Sequence, residues 1–185
     1  MARFLRILIA LTMLVLTSFA VPAAAVPDLP IKGTVSGEHG PPDLSKPDCP
    51  DWAVWRYSSH GVGKMSHLGR VEYSLTQCTE PGDGGNASEG TITLVAANGD
   101  ELYLEHLMLS EMVLGASGPL GFTFSGTWEA VGGTGRFTNA TGAGTLAGVG
   151  DIPGGGETLG VPDGLMGTNF KGGIAYDASD RSTMG

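Results

Sequence analysis

The residues of this chain whose types could carry chemistry are two cysteines, four histidines and a few acids set on alternating runs. Cys49 and Cys78 form no C-x-x-C pair, and neither His nor Cys stands at zinc spacing beside them. In an oxidising compartment an even pair of this kind reads as a disulfide. Closing a loop of this size stabilises by about 3 kcal/mol in the chain-entropy model. The histidines are His39, His60, His67 and His106. None stands in H-x-H or H-x-x-x-H, so their spacing gives no metal signal, and no metal or other cofactor is expected. His106 shares a strand face with Leu102, Leu104 and Met108, which reads as a core or rim histidine.

Paired carboxylates can move protons when one is desolvated and its pKa rises. Glu101, Tyr103 and Glu105 share one face of a run, but alternating acids on a strand read first as its solvated face. Glu72, Glu129 and His106 are the candidates for polar groups facing a barrel lumen. Gly133-Thr134-Gly135 lacks the Lys of a phosphate loop and the βαβ context of a dinucleotide fingerprint. It reads as a tight turn in which Gly133 and Gly135 give the bend and Arg136 and Phe137 anchor it. There is no Gly-x-Ser-x-Gly elbow, and a paired Cys49 and Cys78 would leave no thiol for Cys/His catalysis. Two N-x-[ST] sequons begin at Asn86 and Asn139; tripeptides this short arise by chance. Trp52, Trp55, Trp128, Phe122 and Phe124 supply the aromatic material of a core or of a ligand cavity.

The elements that must position these residues begin after residue 25. Arg3 and Arg6 precede an apolar run from Ile7 to Phe19, and Ala23-x-Ala25 follows as a cleavage box. That order predicts a signal peptide over 1–25 rather than a membrane anchor, because the run is shorter than the about 20 residues a spanning helix needs. The product would be secreted, periplasmic or held at the cell surface. Residues 26–185 hold 8 basic and 19 acidic side chains, a net charge of −11. Such a surface repels nucleic acid and anionic membranes. No later stretch is apolar enough to span a bilayer, so no integral membrane segment is expected after cleavage.

Glycine, 31 of 185 residues, lacks a collagen period and separates alternating runs, the pattern of a turn-rich β protein. Residues 26–50 hold six prolines and read as an extended arm with one short strand, Ile31 to Ser36. The barrel domain is expected over 51–177, with a polar tail at 178–185. Its strands are Trp52 to Gly61, Ser66 to Cys78, Gly90 to Ala97, Glu101 to Leu109, Leu120 to Ala130, Thr141 to Asp151 and Met166 to Tyr176. Loops are expected at Gly61-Val62-Gly63, Glu80 to Ser88, Gly115 to Pro119 and Pro153 to Gly164. Asn98-Gly99 between two alternating runs is a strong hairpin signal. The reading is all-β, about eight strands in the pattern of an antiparallel barrel or sandwich; closure of exposed edges and the frequent strand glycines favour a single antiparallel barrel. Such a lumen is just wide enough to be filled by side chains or to hold one small ligand.

Three segments carry a family resemblance: Ser66-His67-Leu68-Gly69-Arg70, Gly90-Thr91-Ile92-Thr93 through Asn98-Gly99-Asp100, and Gly132 to Gly142 with the alternating Gly144 to Gly150. In that order they resemble a group of exported bacterial β proteins that in turn resemble the allene oxide cyclase and dirigent barrels. The resemblance covers roughly residues 66–176 and implies a small eight-stranded barrel. It carries no catalytic residues onto this chain, since fold does not carry function. Two functions follow as expectations. One is a non-enzymatic binding or structural module, with a small apolar molecule as its ligand. The other is a cyclase or isomerase acting on an apolar substrate in the lumen.

Overall fold

The computed structural model describes residues 29–46, 48–83, 85–116, 118–152, 159 and 165–176. The expected signal peptide, the tail and most of the glycine-rich stretch 153–164 lie outside those residues. Eight strands follow in chain order: β1 (Leu29–His39), β2 (Trp55–Met65), β3 (Gly69–Gly82), β4 (Gly85–Ala96), β5 (Glu101–Gly115), β6 (Gly118–Gly133), β7 (Thr141–Asp151) and β8 (Leu165–Ala175). Each pairs antiparallel with the next, and β8 returns to β1, so the sheet closes into a barrel with no free edge. Among the described residues no helix is long and apolar enough to cross a membrane.

The alternation read from the sequence is the wall of this barrel. Val71, Tyr73 and Leu75 are buried in the lumen, while Arg70, Glu72 and Ser74 face out. Asn98-Gly99 turns the β4–β5 hairpin, with Gly99 at φ 88°. Several boundaries differ from expectation. β5 runs on to Gly115 and β6 begins at Gly118, so Gly115, Gly118 and Pro119 of the expected loop pair as strand residues. β1 is longer than Ile31 to Ser36 and is a full stave of the barrel, so the wall takes in part of the stretch read as an arm. Gly61 and Gly63 lie inside β2 rather than in a turn. A Cβ at Gly63 would sit 2.6 Å from Val35 Cγ1, so glycine lets Val35 of β1 pack closely over β2 there. The loop expected over Glu80 to Ser88 is instead a continuing hairpin, with Pro81 opposite Asn86 and Gly82 opposite Gly85.

The β6–β7 pair shows how glycine and aromatics cooperate. Phe122, Phe124 and Trp128 stand directly opposite Gly150, Gly148 and Gly144. A Cβ at Gly144 or at Gly172 of β8 would lie 2.6 Å from Trp128 Cζ2, so the indole occupies a notch that only glycines leave open. Its Nε1 donates to the Thr145 carbonyl at 3.1 Å.

Strand direction gives the barrel two ends. The β2–β3, β4–β5 and β6–β7 connections lie at one end; β1–β2, β3–β4, β5–β6 and β7–β8 lie at the other. At the first end a short 3-10 helix, Gly135–Phe137, folds across the lumen. Phe137 is fully buried among Ile31, Leu68, Leu94, Leu102 and Ile174, and its ring lies 5.0 Å from that of Tyr176. Gly135 takes φ 53°, where a side chain would also collide with the Asp100 carboxylate. The bend comes from Gly132, at φ 116°, and Gly135, whereas Gly133 is the last residue of β6. Arg136 donates to the His67 carbonyl at 3.0 Å, pairs with Asp100 at 3.6 Å and stacks 4.7 Å from the Phe137 ring. These contacts hold the plug in place.

Candidate functional site

At the other end the inward side chains stop being aliphatic. Along β3 the lumenal face runs Val71, Tyr73, Leu75 and then Gln77 and Thr79. Along β5 it runs Leu102, Leu104, His106, Met108 and then Ser110. β4 changes in the same sense, from Leu94 and Ile92 to Ser88 and Asn86. Together they leave a cavity of about 250 Å³ open toward this end. Its apolar wall is Leu75, Met108, Met112, Phe122 and Met166, and Trp55 and Tyr57 of β2 close one side. Other depressions, such as that between Trp52, Leu107 and Thr145, are shallow saddles on the outer wall.

Polar groups run along the cavity and beneath it. His106 Nε2 lies 3.2 Å from Gln77 Oε1 and, as the only possible donor of the two, carries the proton. Gln77 Nε2 donates to Ser88 Oγ at 3.4 Å, and Ser88 Oγ meets Thr79 Oγ1 at 2.9 Å. Burial pushes His106 down to about 4, so at neutral pH the ring is uncharged. On the β2 side Ser59 Oγ donates to the Glu38 carbonyl at 2.8 Å and lies 2.7 Å from the Tyr73 hydroxyl. Burial raises Tyr73, which keeps its proton and is the donor to Ser59. The rim adds His39, whose Nε2 donates to the Asp151 carbonyl at 3.0 Å. Its ring packs edge-on against Phe122 at 5.6 Å and Tyr57 at 6.4 Å.

The structure separates the three lumen candidates. His106 faces in and is 3% exposed. Glu72 and Glu129 do not: both are exposed on the outer wall, because their neighbours Val71, Tyr73, Trp128 and Ala130 take the inward positions. Glu101 and Tyr103 sit on the outer face, where the Tyr103 hydroxyl donates to Glu101 Oε2 at 2.6 Å. His60 is outside on β2, and His67 sits at φ 67° in the β2–β3 turn, bonded to the Pro30 carbonyl. Trp52 is exposed, whereas Phe124 and Trp128 fill the middle of the lumen. Asn86, the first sequon residue, is half-buried on the cavity wall.

Cys49 and Cys78 are bridged, with Cα atoms 5.6 Å apart. The bridge ties the β1–β2 connection to the outer face of β3 near the open end. Among the described residues, no group of three or more His, Cys, Asp or Glu could hold a metal ion.

Sequence reading missed His39, which it placed in the arm, and the inward-facing Ser59, Gln77, Thr79 and Ser88. The available signal was the switch from aliphatic to polar residues along one face of a single strand, clearest in Val71 to Thr79.

The fold and site define an eight-stranded antiparallel barrel, stapled by one disulfide, whose lumen is plugged at one end and open at the other. No family model, curated protein or solved structure matches the chain.

Proposed function

We propose that this is an exported binding protein that holds a small, neutral, mostly apolar molecule in the open half of its lumen. The observation that carries the reading is the cavity of about 250 Å³ lined by Leu75, Met108, Met112, Phe122 and Met166. An engineered apolar cavity of roughly 150 Å³ holds benzene, and drug-sized pockets span roughly 300–1,000 Å³. The volume suits a ligand between those sizes. Among the described residues none lining the cavity is Asp, Glu, Lys or Arg, which favours a neutral ligand. The disulfide supports the extracytoplasmic side of this reading.

The test is native mass spectrometry of the protein expressed with export, followed by identification of any extracted ligand. A stoichiometric adduct is expected, and Ser110→Trp, which fills the cavity mouth, is expected to lose it. Retention of the adduct by that variant would place it elsewhere and overturn the proposal.

The resemblance to the allene oxide cyclase and dirigent barrels supports a second reading, a cyclase or isomerase working in the same cavity. His39 favours it, as an imidazole among the residues that line the cavity. Conversion of a bound apolar substrate by the wild type, lost in His39→Phe, would establish turnover.

A further inference from the structure

We infer that a second copy of this chain docks on the outer wall of the barrel. The acid-rimmed face of β5 in one copy seats on the basic face of β1 and β2 in the next, so that copies associate side by side in an open row. The inference is independent of the cavity reading above.

The outer wall divides its charges by strand. Every Lys and Arg of the eight strands lies on β8, β1, β2 or β3: Lys171, Lys32, Arg56, Lys64 and Arg70. β4, β5, β6 and β7 carry none, and their exposed side chains include Glu89, Glu105, Glu111 and Glu129. Within each half the like charges stand together. Lys32 is in register with Lys171 in one row, and Lys64 with Arg70 and Thr34 in the next. The acids of that half, Glu38, Glu72 and Glu80, stand outside those two rows. On the other half Glu105 is opposite Glu129. Like charges directly opposite one another on a sheet are destabilising. The one salt bridge among the described residues joins Arg136 to Asp100, so among those residues neither cluster is ion-paired.

Each cluster borders apolar surface. On β5 Leu107 and Leu109 are 61% and 63% exposed, and they share a depression with Trp52, Ala87 and Ala147. Glu89 stands opposite Leu107, and Glu105 and Glu111 flank the two leucines along the strand. On the basic side a depression that takes in Thr34, Val62 and Val149 is bordered by Lys64 and Arg70. An apolar centre with a polar rim is the anatomy of a protein–protein interface, and these two rims carry opposite signs. Neither face suits itself, since that would set acid on acid or base on base; one on the other satisfies both. The acidic excess of the whole chain repels at long range, but at physiological salt the Debye length is about 8 Å, so charges in contact decide. In a closed ring of eight staves β1 and β5 stand on opposite sides. A contact between different, opposite faces does not close into a small ring; it propagates.

Sedimentation velocity of the exported protein in 0.15 M NaCl, from about 1 to 200 μM, tests this. Species larger than a dimer are expected as concentration rises, with association weakened about tenfold in 0.5 M NaCl. Lys64→Glu breaks only the basic face and Leu107→Asp only the acid-rimmed one. Both side chains are exposed, so each variant should fold and stay monomeric alone. Mixed in equal amounts they should form a one-to-one dimer and nothing larger, because each lends the other its intact face. Arg70→Glu and Leu109→Asp should repeat the result from different positions on the same two faces. A wild type that stays monomeric over the whole range would overturn the proposal. So would self-association of the variants at wild-type strength, or mixtures of both variant pairs that stay monomeric while the wild type associates, since the contact would then lie elsewhere.

Discussion

The two ends of this barrel share eight staves and one alternating pattern, yet different forces hold them. At the plugged end Ile31, Leu94, Leu102 and Ile174 close around Phe137, each at most 2% exposed. At the open end the same staves present Ser59, Gln77, Thr79 and Ser88 around unfilled space. The open end gives up apolar packing, and a covalent tie stands near it: the bridge that pins the β1–β2 connection to β3. Stability built from packing can be concentrated at one end of a closed sheet, because hydrogen bonding around the ring carries order to the other. A lumen arranged this way keeps a cavity without losing the barrel.

The largest expected difference between the ends comes from truncating one phenylalanine at each. Phe137→Ala should cost about 4 kcal/mol, since it empties the tightest part of the core. Phe122→Ala, on the half-buried cavity wall, should cost less than about 2 kcal/mol, because existing free space already surrounds that ring. Urea denaturation of both variants measures the contrast, and equal losses would break the comparison. Next is the staple. Replacing Cys49 and Cys78 with alanine should cost about 3 kcal/mol by the loop-entropy argument. Hydrogen exchange should report the extra opening at His39, Trp55 and Tyr57 before it reaches Leu102 or Ile174; loss spread evenly over both ends would break the contrast.

Acid should find the open half through His106. Its pKa is 6.5 when unfolded and about 4 when folded, so the unfolded chain binds the proton first. The native state is therefore favoured in full above pH 6.5 and loses stability as pH falls toward 4, by about 3 kcal/mol in total. His106→Gln, which keeps a donor toward Gln77, should remove that part of the pH dependence. An unchanged slope between pH 6.5 and 4 in this variant would refute the assignment to His106. The smallest effects belong to the outer wall. Glu72→Gln and Glu129→Gln should change stability by less than about 0.5 kcal/mol and leave binding in the cavity untouched. Loss of binding in either would mean that the cavity extends through the wall.

The contrast between the ends also shows how far the chain could be read in advance. Eight strands, the antiparallel barrel and the Cys49–Cys78 bridge follow from local chemistry: period-2 alternation, turn-forming glycines and an even cysteine count. So does the turn at Gly133 to Phe137, although its role as a plug is legible only once Phe137 is seen inside the lumen. Gly61 and Gly63 look like a turn because glycine in a sequence is ambiguous: it marks either a bend in the chain or a place where two strands crowd together. His39 looks like part of an arm because prolines surround its segment, and only the pairing of β1 with β8 makes that segment a stave.

What the amino-acid order determined by itself was a set of two-faced strands, each with one face to hide. What tertiary structure decided was which face is inside and where the inside is empty. Alternation says that Glu72 and Val71 face opposite ways, but a lumen can be polar or apolar, and only closure places Val71 within. Emptiness is a property of all eight staves at one height of the barrel. Leu75, Gln77, Met108 and Phe122 reach that height from positions far apart in sequence, and no local pattern adds up their volumes.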